Sequence, residues 1–135
     1  MKKFILGIIV SIVSSAALSQ IEDFEFRNDF RPEYSKSLTV DQLAKLQESG
    51  EVVILDVRLH EDFEDDPTLI PGAEYKNPEN IPDWIAQIDK SKEVVVYCVA
   101  GKWVSQKVAH ILDEAGISVQ SLEGGVEGWK ANQGQ

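Results

Sequence analysis

Two short runs govern what this chain can fold into. Val52-Val53-Ile54-Leu55 and Val94-Val95-Val96-Tyr97 are unbroken apolar stretches rich in β-branched side chains. A strand with one wet face alternates apolar and polar residues, so a run without interruption has both faces covered. Such strands belong to a parallel sheet with helices above and below it. The intervening segments fit. Val104, Val108, Ile111, Leu112 and Ala115 fall on one helical face, which Gly116 closes. Val40, Leu43 and Leu46 line a shorter helix, with Asp41 as its expected N-cap and Gly50 as its stop. Asn80 is expected to cap a third helix, with Pro82 in its first turn and Trp84, Ile85 and Ile88 on its apolar side. Val119 to Leu122 form another strand and Ala73-Glu74-Tyr75 a short one. Residues 59–72 are acidic and end in Pro71-Gly72, which predicts a loop with one helical turn around Glu61 to Glu64. Gly124-Gly125 then turns the chain into a last helix carrying Trp129. The expected fold class is α/β, a small, mostly parallel sheet with helices on both faces.

The N-terminus has a different character. Lys2 and Lys3 precede an apolar run from Phe4 to Val13, and small residues follow through Ala17 and Ser19. That order predicts a secretory signal peptide over residues 1–19, cut before Gln20, and export to a bacterial periplasm. The alternative is an uncleaved anchor, although the run is short for a bilayer. With the signal removed, no stable membrane insertion is expected. Residues 20–35 are polar, acidic and aromatic without a period, and predict a leader packed loosely on the domain, which occupies 36–135.

Charge and cysteine content narrow the function. The formal net charge is −10, and loss of residues 1–19 would remove two further lysines. So acidic a surface repels phosphate backbones, so nucleic acid is not an expected partner. One cysteine and two histidines, His60 and His110, leave no material for a disulfide framework or a transition-metal cage, and no cofactor is expected. Both histidines read as solvated, and Trp84 and Trp129 as core.

Cys98 follows the second apolar run at once. Ligands of an open parallel sheet bind beyond the carboxyl ends of its strands. Cys98-Val99-Ala100-Gly101-Lys102-Trp103 joins that strand end to a helix N-terminus, with small Ala100 and flexible Gly101 letting the backbone curl. Successive N–H groups there can converge on an anion, aided by the helix dipole. The cradle favours negative charge on sulfur and makes Cys98 a nucleophile with its own anion hole. The bland alternative is an inert cysteine buried in a strand-to-helix turn.

Leu55-Asp56-Val57-Arg58, Ile70-Pro71-Gly72-Ala73, the segment Val94 to Trp103, and Leu122-Glu123-Gly124-Gly125 with Trp129 occur in the order found in single-domain rhodaneses, which the chain resembles. The resemblance implies an α/β sulfurtransferase. Its loop cysteine, here Cys98, takes a sulfane sulfur from a donor such as thiosulfate, holds it as a persulfide, and passes it to a thiophilic acceptor. Donor and acceptor are small molecules or proteins, and a monomer is expected. The resemblance assigns substrate binding to Val99, Ala100, Gly101, Lys102 and Trp103, and makes Arg58 a further contact, unless Arg58 forms a buried ion pair that holds the loop. Three features depart from the pattern. Trp103 stands where the loop Cys-x-x-Gly-x-Arg carries arginine, Leu69 replaces a common histidine, and the loop around Asp65-Asp66-Pro67 is lengthened. Lys102 is the one loop cation and lacks arginine's bidentate fork. Trp103 either lines an apolar mouth or packs the loop down. The acidic run 61–66 would disfavour anionic donors near that mouth. Related phosphatases carry arginine seven places after the cysteine, where Ser105 stands, so phosphatase activity is not expected. The competing functions are a rhodanese-like binding module without turnover and a thiol redox protein, the latter weakened by the absence of a second cysteine.

Overall fold

A computed structural model describes residues 24–134. The expected signal peptide and its cut before Gln20 lie outside the described residues. In chain order the elements are β1 (Ser37–Leu38), α1 (Val40–Ser49), β2 (Val52–Asp56), α2 (His60–Asp65), β3 (Ala73–Tyr75), α3 (Ile81–Trp84), β4 (Glu93–Tyr97), α4 (Trp103–Glu114), β5 (Val119–Leu122) and α5 (Gly125–Gln133), with 3-10 turns on either side of α3. The sheet order is β1-β5-β4-β2-β3, and every ladder is parallel.

The two apolar runs are the central strands, paired from Val52 opposite Glu93 to Asp56 opposite Tyr97. Because strand side chains alternate, each run feeds two cores. Leu55, Val94, Val96 and Cys98 face α3 and α4 through Trp84, Val104, Val108 and Leu112. Ile54, Val95 and Tyr97 face α1 and α5 through Leu43 and Val126. Cys98 thus continues the β4 alternation onto the α4 side of the sheet.

Three local expectations need correction. The cap of α1 is Thr39, not Asp41: Thr39 Oγ1 accepts from Gln42 N and Gln42 Oε1 accepts from Thr39 N. Gln42 lies three residues after Thr39, the spacing that a reciprocal capping box requires. Asn80 precedes α3 but makes no side-chain cap bond; Asn77 Oδ1 accepts from Glu79 N one turn earlier. Trp84 lies in the core as expected, whereas Trp129 is only half-buried.

The leader is not loosely attached. Phe26 is 1% exposed and belongs to the core under α4. Tyr34 donates its hydroxyl to Val119 O at 2.8 Å, and its N–H donates to Gln106 Oε1 at 3.2 Å. Lys107, on α4, bonds Asn28 Oδ1. Burial of these side chains depends on a surface that forms far along the chain, which a local period cannot reveal. Phe26→Ala should therefore lower stability by about 3–5 kcal/mol. The check is the midpoint of urea unfolding, and a change within error of zero would show that the leader is dispensable.

Candidate active site

β4 ends at Tyr97, and the chain turns through 98–102 into α4. The first turn of α5 holds that loop from behind. Val126 N–H donates to Cys98 O at 2.9 Å and Glu127 N–H to Val99 O at 3.0 Å. In a trans peptide the N–H points opposite to its C=O. Fixing the Cys98 and Val99 carbonyls toward α5 therefore aims the Val99 and Ala100 N–H groups away from it, into the loop. Among the described residues, no N–H from Val99 to Ser105 donates to a protein acceptor. Those groups are the open donors of the loop and of a helix N-terminus together.

This approach is possible only because two glycines meet backbone to backbone. At Gly101, φ is +72°, and a Cβ would lie 2.8 Å from both Gly124 N and Leu122 O. At Gly125, φ is +60°, and a Cβ would lie 2.5 Å from Cys98 O, 2.6 Å from Val99 O and 2.7 Å from Gly101 N. Any side chain at either position would push the loop off α5.

In front of the loop is a cavity of about 160 Å³ lined by Arg58, Leu59, Asp62, Cys98, Val99, Ala100, Lys102, Trp103 and Val104. Every residue assigned to the site from the sequence borders it except Gly101, which shapes the backbone behind. Cys98 is 4% exposed and its Sγ lies 3.2 Å from Ser105 Oγ. Lys102 is exposed at the rim. Leu59, Asp62 and Val104 were not assigned; Asp62 is one carboxylate among several in a run whose faces are set only when α2 forms.

Arg58 borders the cavity, but its guanidinium faces protein acceptors. Nε donates to both Asp56 oxygens at 3.0 Å, Nη2 to Asp56 Oδ2 at 2.6 Å and to Thr68 O at 3.0 Å, and Nη1 to Asp66 O at 2.8 Å. The pair is buried, Asp56 wholly and Arg58 to 2%. Burial works against the guanidinium charge, and the Asp56 carboxylate more than offsets it, so Arg58 is held more firmly protonated than a free arginine. This is the buried pairing that the sequence left open, and it ties the α2 wall to the end of β2.

Of the two roles open to Trp103, lining the mouth is the one its position matches. It lines the cavity, and it is pinned by the leader. Phe26 stacks on it with centroids 5.6 Å apart, and the Arg31 guanidinium lies 3.9 Å from its ring centroid. His60, paired with Glu64 at 2.9 Å, and His110 lie outside the cavity wall.

The Rhodanese-like domain model matches residues 39–132. The chain belongs to the rhodanese-like family. A thiosulfate sulfurtransferase GlpE of Shewanella oneidensis is 38% identical over 95 residues, covering 70% of this chain and 91% of the relative. A putative sulfurtransferase YtwF of Bacillus subtilis is 35% identical over 86 residues, covering 64% and 81%. The crystal structure of a rhodanese-like domain protein from Staphylococcus aureus superposes with a TM-score of 0.62 at 35% identity, covering 70% of this chain and 91% of that one. Membership supports sulfurtransferase activity at the level of the family. Within this rhodanese-like domain the glycine contact is the most demanding element. Gly125→Ala should lose more stability than Gly116→Ala, whose site has φ +85° but open space around it. The control bears only the left-handed backbone penalty of about 1–2 kcal/mol. Equal losses in chemical unfolding would mean that the loop does not rest on α5.

Proposed function

We propose that the protein is an exported sulfurtransferase that carries a sulfane sulfur on Cys98. The observation that carries this reading is the pair of N–H groups of Val99 and Ala100 turned away from α5, within a run of unbonded amides up to Ser105, beside a cysteine that lines a small cavity. The Cys98 thiolate attacks the outer sulfur of the donor. A new S–S bond forms on Cys98, the donor's own bond to that sulfur breaks, and the electron pair leaves with the remainder of the donor. The resulting persulfide is an anion, which the loop amides stabilise without reorganising. An acceptor nucleophile then attacks the outer sulfur, and the Sγ–S bond breaks toward Cys98, restoring the thiolate.

The cavity wall favours a donor with an organic body over a compact dianion. Leu59, Val99, Ala100, Trp103 and Val104 are apolar, Asp62 opposes an anion, and, with Arg58 paired to Asp56, Lys102 is the one side chain that attracts one. Trp103 supplies area for stacking where a guanidinium fork would bind sulfonate-like oxygens. The signal-like start of the chain supports a working place in the bacterial envelope.

Mass spectrometry after incubation with a panel of donors tests this. One sulfur atom should be gained, on Cys98, and none by Cys98→Ser. Trp103→Arg should raise kcat/KM for thiosulfate by about 10- to 100-fold, the worth of one charge-assisted hydrogen bond. Lys102→Ala should lower thiosulfate use more than use of an uncharged polysulfide. No adduct with any donor would favour a binding module instead. A fall in thiosulfate turnover for a folded Trp103→Arg protein would make Trp103 a working part of anion recognition.

A further inference from the structure

Behind Cys98, on the side away from the cavity, two serines extend from the sulfur in a short hydrogen-bonded chain. Ser105 Oγ, in the first turn of α4, lies 3.2 Å from Cys98 Sγ, and Ser121 Oγ, on β5, lies 3.1 Å from Ser105 Oγ. Ser105 is 0% exposed and Ser121 4%. Among the described residues, neither hydroxyl has another hydrogen-bond partner.

A count of hydrogens shows what the chain is suited to. With Cys98 as a thiol there are three hydrogens, one on sulfur and one on each hydroxyl, but only two links. One donor is left without an acceptor inside the chain, and the S–H, which borders the cavity, is the one that can turn away from it. With Cys98 as a thiolate there are two hydrogens for two links: Ser121 donates to Ser105, and Ser105 donates to sulfur. Each donation polarises the next. With the sulfur negative, both links run toward it and no donor is left over.

We propose that Ser105, backed by Ser121, is a positioning and charge-stabilising relay for the Cys98 thiolate, and that it acts chiefly when sulfur is discharged. The last part rests on the sulfurtransferase reading above. In discharge the acceptor takes the outer sulfur, the Sγ–S bond breaks, and its electron pair arrives on Sγ. The Ser105 hydrogen already points at that atom. In loading the same thiolate is the nucleophile, and a hydrogen bond to it gives no acceleration. The relay therefore separates the two half-reactions.

Two readouts on the full chain test this. The first needs no sulfur transfer. Cys98 is the sole cysteine, so the pH profile of iodoacetamide alkylation reports it alone. Arg58, with Asp56 behind it, Asp62 and Lys102 are the charged groups around the cavity, and all are unchanged by substitution at 105 or 121. Ser105→Ala should move the profile to higher pH by about one unit, the worth of one hydrogen bond to a charge. Ser121→Ala, which leaves the Ser105 contact in place, should move it less and in the same direction. The second readout is single-turnover mass spectrometry of the sulfur adduct. Measured above the alkylation midpoints of both proteins, where each is a thiolate, Ser105→Ala should discharge to cyanide about ten-fold more slowly, by the same reasoning, and load from the same donor at no lower rate. Wild-type alkylation profiles in both variants would overturn the relay. So would loading and discharge slowed equally, which is the signature of a merely structural serine. If no donor loads the wild-type protein while the profiles still shift, the relay stands and the sulfurtransferase reading fails.

Discussion

The site depends on two backbone hydrogen bonds, from Val126 and Glu127 at the start of α5 to the carbonyls of Cys98 and Val99. They orient peptide planes rather than side chains. Once those carbonyls are held, planarity fixes where the following N–H groups point, and the loop becomes a cradle for negative charge. The contact itself requires Gly101 and Gly125 to lie backbone against backbone at positive φ. The tightest packing in the site region thus involves atoms that carry no side-chain chemistry.

Around that cradle the walls are held by other parts of the chain. The buried Asp56–Arg58 pair extends the end of β2 and draws in the carbonyls of Asp66 and Thr68, which sets the loop after α2 and with it Asp62. A buried pair of this kind is costly to break, because either partner alone would be an uncompensated charge. The opposite wall, Trp103, is backed by Phe26 and Arg31 from the leader. A segment N-terminal to the sheet therefore contributes to the shape of the cavity although none of its described residues lines it. Behind Cys98, α4 and β5 back the sulfur through Ser105 and Ser121.

How much of this was legible in the sequence follows from the range of each interaction. β2 and β4 were plain because a continuous β-branched run has few other uses, and α4 because its apolar residues keep a helical period over three turns. β1 was not, since Ser37–Leu38 is too short to show a pattern and exists through pairing with β5. Thr39 and Asp41 are both good cap residues; Gln42 decides between them through a reciprocal bond. Cys98 and its loop were legible because a strand end followed directly by a helix start is a local feature. The positions of Phe26 and Ser105 were not, because each is set by an element distant in the chain: α4 for Phe26 and β5 for the partner of Ser105; Asp62 was not, because one carboxylate in an acidic run shows no preferred face until α2 forms.

A charge cradle in the Val99 to Ser105 segment requires that its amides respond to the charge on the Cys98 sulfur. The direct measurement is a pH titration of the ¹H–¹⁵N resonances of that segment, in the natural protein and in Cys98→Ser. The account predicts that these amides move together, with one midpoint shared with Cys98 alkylation, and that the movement is absent in Cys98→Ser. Amides that stay still while Cys98 loses its proton, or that move identically in Cys98→Ser, would contradict it.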